Sequence, residues 1–214
     1  MAERGKRPDR DRASWRQTLA LAVGSVVAAA LLALTPQWRQ IELRSFDLTS
    51  TIAPPQPPEK DIVIVAIDQP SFEEFGQWPW RRDLHARLIE QLRAAGAKSI
   101  VLDIVFAEPG AFPDADTALA EAMGPDVVLA ADRTTTKTPN ADIESEVLPL
   151  AALLQRGARH GFAKVPQSEV DGVVRTIPSG DNTLAAVTLA AFAGTPPPAT
   201  PENALIQYFA PAKA

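Results

Sequence analysis

No cysteine occurs among the 214 residues. Disulfides, thiolate metal sites and cysteine nucleophiles are therefore excluded, and the redox compartment is left open. Histidine is scarce: His85 and His160 stand apart with no metal-ligand spacing around either, which argues against zinc. The glycine patterns that cradle nucleotides are missing as well. There is no Gly-x-Gly-x-x-Gly, no phosphate loop ending in Gly-Lys-Ser/Thr and no Gly-x-Ser-x-Gly elbow. Positive charge in excess is confined to the start, where Arg4, Lys6, Arg7, Arg10, Arg12 and Arg16 outnumber Glu3, Asp9 and Asp11, although the whole chain carries a net charge of −5. The body is acidic and has no basic patch, so nucleic-acid partners are set aside. No internal repeat is found.

One long uncharged run is present, over residues 18–35, rich in Leu, Val and Ala. At 1.5 Å per residue it reaches roughly 27 Å, close to the ~30 Å of a hydrocarbon core. Trp15 and Trp38 flank it as interfacial aromatics do. The expected layout is a cytoplasmic basic tail over 1–17 and a transmembrane helix over 18–38, with everything beyond exported. A cleaved signal peptide is the competing reading, but its small residues, Ala28-Ala29-Ala30, lie inside the apolar run rather than after it. A buried soluble helix would need a polar face, which the run lacks. Length and flanks favour the retained anchor. Ala22, Gly24, Ala28 and Ala29 would allow close approach of a second helix, as in a homodimer.

Residues 39–60 read as a stalk and linker. Ile41, Leu43, Phe46 and Leu48 alternate with Glu42, Arg44 and Asp47, a pattern that would continue the membrane helix. Pro54, Pro55, Pro57 and Pro58 then forbid helix and favour an extended spacer. The folded module spans 61–214. It opens on a buried strand over 62–67 and repeats the pattern over 99–106, each run meeting a carboxylate, Asp68 and Asp103. Between them, Leu84, Leu88, Ile89 and Leu92 recur at helical spacing with His85 on the polar side, and Gly96 stops the helix. That is a βαβ unit. Ser71 to Glu74 fits a capping box for a short helix ending at Gly76. Later segments read as a helix over 116–124, a third parallel strand over 126–131, a polar surface loop over 134–145 and a helix over 148–156. They continue as a strand over 161–165, a turn at Asp171-Gly172 leading into a strand over 173–178, a helix over 184–193, a proline spacer over 195–201 and a last strand over 204–209. The order implies an α/β fold, a three-layer sandwich with a mainly parallel sheet.

Strand-end carboxylates in such a sheet invite a site. Asp68, Asp103 and Glu108 together would suit Mg²⁺ or Ca²⁺, or an acid and base pair, as in an exported metal-dependent hydrolase. The plainer account has Asp68 capping a helix and Asp103 paired with Arg81 or Arg175. Trp78 and Trp80 would wall a ligand pocket or simply close the core beside Pro79. A rim of Asp68, Trp78, Trp80, Arg81 and Asp103 is the expected ligand-binding site, with no catalytic residue, resident metal or cofactor expected.

These residues also resemble a family. The run through Asp68 and Ser71, then Gly76-Gln77-Trp78-Pro79-Trp80-Arg81 and His85-Ala86, is similar to the second type of CHASE domain. So are Ala95-Gly96-Ala97-Lys98, Leu102-Asp103-Ile104-Val105-Phe106 with Glu108-Pro109, Gly161-Phe162 and Asp171-Gly172-Val173-Val174-Arg175. The resemblance covers roughly residues 40–210 and implies an extracytoplasmic sensory domain of a bacterial receptor, in the inner membrane and facing the periplasm. It implies a small-molecule ligand or an envelope protein as partner. Two departures stand out: Leu48-Thr49-Ser50-Thr51 replaces the family's usual Arg-rich segment after the stalk acid, and no kinase or cyclase follows before Ala214. The expectation is a receptor fragment or a sensor acting alone.

Overall fold

The computed structural model describes residues 10–52, 61–138, 141–165, 167–168, 171–196 and 204–206. The basic tail up to residue 9, the proline linker over 53–60 and most of the second proline spacer lie outside them. Two units result: one holds the two N-terminal helices, the other spans residues 60–206.

In the first unit, helix α1 (Arg10–Ala33) contains a 19-residue window, Trp15–Ala33, of mean hydropathy 1.6, long and apolar enough to cross a membrane. It does not run to Trp38. Leu34 and Thr35 form a turn, the Thr35 hydroxyl accepts from the Trp38 amide at 3.3 Å, and Pro36 opens helix α2 (Pro36–Ile52). Proline suits a first helical position, where no amide donor is needed. The stalk is therefore a separate helix and not a continuation of α1.

The second unit begins differently from expectation. Residues 62–68 form no helix and join no described strand, and Ile64 is 88% exposed. Asp68 then caps α3 (Gln69–Phe75), accepting from the Ser71 amide at 3.3 Å and the Ser71 hydroxyl at 2.9 Å. The cap is thus Asp68, with Ser71 as its donor rather than as the cap. Helix α4 (Arg82–Ala94) ends before Gly96, whose φ of +91° suits glycine. Strand β1 (Ile100–Leu102) is shorter than the apolar run that contains it. Val101 and Val105 remain 39% exposed, so the expected burial on both faces is not found.

Helix α5 (Pro113–Ala122) leads to β2 (Val127–Lys137), the centre of the sheet. Its first half pairs in parallel with β1, Ile100 against Val127, and with β4 (Arg159–Phe162), Val128 against Arg159. Its second half pairs antiparallel with β3 (Asp142–Val147), from Asp132 opposite Val147 to Lys137 opposite Asp142. The expected polar loop over 134–145 is therefore a hairpin arm. Three β-branched threonines and the opposed Arg133 and Glu146 favour pairing there despite the polarity. Helix α6 (Ala151–Leu154) is a single turn, and α7 (Leu184–Ala193) has the expected bounds, closed by Gly194 at φ +69°. Of the later strands, single bridges join Gln167 to Val174 and Thr176 to Leu205; residues 207–209 fall outside the described residues.

Successive β2 residues point to opposite faces, and residues 127–131 are all fully buried. Val127 and Leu129 pack in one cluster with Ile89 of α4, Leu119 of α5 and Leu153 of α6. On the other face α7 lies against β2 and β4. The result is a helix–sheet–helix arrangement on a mostly parallel sheet. Each of those large aliphatic side chains adds about 1.5–3 kcal/mol by leaving water.

Candidate functional site

Gly76 turns the chain out of α3 at φ +83°, and the cis Trp78–Pro79 peptide folds it back. Trp80 Nε1 donates to the Gly76 carbonyl at 2.7 Å, so the indole's one polar atom is satisfied. Its ring meets Phe72, Phe75 and Trp78 edge-on at centroid distances of 6.0, 5.4 and 5.7 Å. His85 joins this block to the core. It lies 5.5 Å from Trp78, stacks on Trp80 and meets Phe106 at 5.6 Å.

His85 is 3% exposed, which corrects its placement on a polar helix face: α4 is covered on two sides, and the second cover is the tryptophan block. Burial lowers its pKa from the ordinary value, and the nearby Arg82 charge lowers it further. A depressed histidine folds best when neutral. Stability is complete above the unfolded value of about 6.5 and is lost as pH falls toward the folded value. Unfolding midpoints should therefore decline from pH 6.5 to pH 5, and His85→Gln should flatten that slope; equal slopes would show that His85 is not the group that titrates.

Two arginines begin α4. Arg81 Nε donates to Asp83 Oδ1 at 3.1 Å and Nη2 to Asp114 Oδ2 at 2.9 Å, and the guanidinium lies 4.4 Å from the Phe112 ring centre. The bond to Asp114, then that to Asp83, raises the Arg81 pKa. Arg82 Nη1 donates to Asp116 Oδ1 at 2.9 Å and Nη2 to the Glu108 carbonyl. Asp116 also accepts from the Gly110 amide at 2.8 Å, which pins the loop between β1 and α5. An open groove of about 570 Å³ runs between these elements, bordered by Trp80, Arg81, Arg82, Val105, Phe112 and Val147 among others. It offers an aromatic wall and a guanidinium edge, a surface able to orient a ligand carrying both an apolar body and acceptor atoms.

Of the five residues expected at the rim, Trp80 and Arg81 border this groove, and Trp78 adjoins it through Trp80. Asp68 is engaged as the cap of α3. Asp103 is exposed and has no hydrogen bond or ion pair with any described residue, so the expected pairing with Arg81 or Arg175 is not found. Those arginines hold Asp83, Asp114 and Asp171 instead. Among the described residues no three His, Asp or Glu are placed to hold a metal, so Asp68, Asp103 and Glu108 do not form that set. Sequence reasoning gave no site role to Arg82, Asp114 or Asp116. Their signal was modest: two acids in the first turn of a helix opened by Pro113.

These elements define an α/β domain that follows, along the chain, a helix able to span a membrane, with an aromatic and arginine groove beside its sheet. The comparisons give the family. The CHASE2 domain family matches residues 23–210, and the chain belongs to it; the family comprises extracellular sensory domains of signalling receptors. No curated protein and no solved structure matched.

Proposed function

We propose that this chain is the membrane-anchored, periplasmic sensory domain of a bacterial receptor in the inner membrane. The family match over residues 23–210 carries this reading, because it takes in the C-terminal half of the apolar window at 15–33 together with the α/β domain. The Trp80 and Arg81 groove receives a small molecule or a segment of an envelope protein. Binding acts on the membrane helix only if the two conformations of the domain differ in affinity, since equal affinity shifts no equilibrium. Pairing of receptor chains would bring their α1 helices together.

Two measurements test it. Alkaline phosphatase fused after Ile206 should be active in intact bacteria, and a green fluorescent protein at the same point dark; the reverse pattern would overturn the topology. Thermal unfolding of the full chain in detergent, screened against periplasmic metabolites, should find a compound that raises the midpoint. At about 100 times its Kd such a ligand adds ~2.7 kcal/mol. Arg81→Gln should abolish that gain, and a gain untouched by it would remove the groove from the sensory reading.

A further inference from the structure

We infer that the end of the parallel β2–β4 pairing holds a second site, one for a small carboxylate or phosphate anion, formed by Arg133 and Lys164. The inference goes beyond the groove reading and shares no residue with it.

The parallel pairing of β2 with β4 ends with Ala131 in register with Phe162, where β2 passes on to its antiparallel partner β3. Two residues further along each chain stand Arg133 and Lys164. Arg133 is within β2, where side chains alternate, so it shares the facing of Ala131. A cavity of about 250 Å³ opens there, lined by Arg133, Phe162, Lys164, Pro178, Ser179 and Asn182 with Thr183. Ligands of open α/β sheets characteristically sit at this end of the strands. The cavity is smaller than the ~300–1,000 Å³ of drug-sized sites, which selects a compact ligand.

Charge sets the chemistry. The Arg133 guanidinium lies 4.2 Å from the Phe162 ring centre, which fixes its plane over an apolar floor. Its Nη2 donates to Glu146 Oε1 at 2.8 Å, yet its buried Nε has no acceptor among the described residues. A buried donor left unmatched is a standing cost that an anionic acceptor relieves. Lys164 is exposed and forms no ion pair with any described residue. Two cations therefore line the cavity, and the Glu146 carboxylate that faces Arg133 is half open to solvent. Ser179 and Asn182 add neutral donors to the lining. A guanidinium fork with a nearby ammonium suits carboxylate or phosphate oxygens, and Phe162 with Pro178 accommodates a short carbon body. Strand β3 is shared between the two places: Glu146 pairs with Arg133, and its neighbour Val147 borders the Trp80 groove.

The test is calorimetric titration of the full chain in detergent with succinate and, separately, with inorganic phosphate, at constant ionic strength. Saturable binding of one of them is expected, and which one identifies the anion as carboxylate or phosphate. Arg133→Gln and Lys164→Gln should each weaken it roughly tenfold or more. Lys164→Gln carries the decision if Arg133→Gln disturbs the β2–β3 pair, since Lys164 forms no ion pair with any described residue. Arg87→Gln, on the exposed side of α4, should leave binding unchanged. Failure of both anions to saturate, binding that survives Lys164→Gln, or an equal loss in Arg87→Gln would each overturn the inference. None of these outcomes bears on ligand capture at Arg81, so the two sites stand or fall separately.

Discussion

Gly161→Ala should lower the thermal midpoint of the domain by roughly 2–12 °C, taking a cost of about 1–3 kcal/mol for overpacking and 2–4 °C per kcal/mol at this size. The reason is a backbone approach. A Cβ on Gly161 would lie 2.7 Å from Leu184 Cα, 2.8 Å from Leu184 N and 2.9 Å from Thr183 C. All three are main-chain atoms at the start of α7, so no rotamer change can clear them. That start is tied in several ways: Phe162 donates its amide to the Asn182 carbonyl at 2.9 Å, Phe162 bridges Thr183, and the Thr183 hydroxyl accepts from Ala186 N at 3.2 Å. Making room means peeling α7 from the sheet and uncovering β2. Gly110 and Gly124 provide the contrast, because their added Cβ atoms would first meet carboxylate oxygens of Asp116 and Asp126. Those ends can turn aside at the loss of a hydrogen bond, so Gly110→Ala and Gly124→Ala should cost less. A wild-type midpoint in Gly161→Ala, read by circular dichroism, would mean that α7 sits loosely on the sheet.

The same contact shows where sequence reasoning reaches its limit. Residues 161–165 read as a strand from their apolar character, and Gly161-Phe162 formed part of the family resemblance, but neither indicated that the glycine admits a helix backbone. Local signals were legible: the glycine stop after α4, the bounds of α7 closed by Gly194, and the α/β order itself all follow from periodicity and caps within one segment. Pairing was less so. The apolar run at 62–67 promised a strand, yet a parallel strand needs a partner far along the chain, and composition cannot supply one. The hairpin arm over 134–145 was hidden for the opposite reason: its register rests on threonines and one charge pair rather than on apolar alternation. At the groove, Trp80 and Arg81 were visible because they stand in one short motif. Arg82, Asp114 and Asp116 come from two helices about 30 residues apart and meet only in the fold.

Asp171→Ala should be the most damaging truncation of a charged side chain, with a fall of several degrees in the unfolding midpoint. Arg175 is only 5% exposed, and Asp171 grips it with both oxygens, Nη1 to Oδ1 at 2.9 Å and Nη2 to Oδ2 at 2.7 Å. The Val173 amide adds a third donor at 3.2 Å, and Gly172 at φ +70° closes the turn by donating to the Ser168 carbonyl at 2.8 Å. Further on, the Arg175 carbonyl accepts from Ile206 N at 2.8 Å, so the pair also steadies the returning segment at 204–206. Losing the carboxylate leaves a desolvated guanidinium without its bidentate acceptor, which is worse than losing both charges. Arg175→Met should therefore cost less than Asp171→Ala; the reverse order would show that packing of the arginine stem, not charge, holds the turn. Acid gives a second check. The bond to Arg175, aided by the Val173 amide and Ser168 and opposed by desolvation, holds the Asp171 carboxyl well below the usual carboxylate range. Its contribution is complete above the unfolded value of about 3.9 and disappears as pH falls through the folded one. The gap between wild type and Asp171→Ala should stay constant from pH 8 to pH 5 and close only in strong acid, below the interval in which His85 acts. A gap that closes near pH 6 would place the stabilising charge elsewhere than in Asp171.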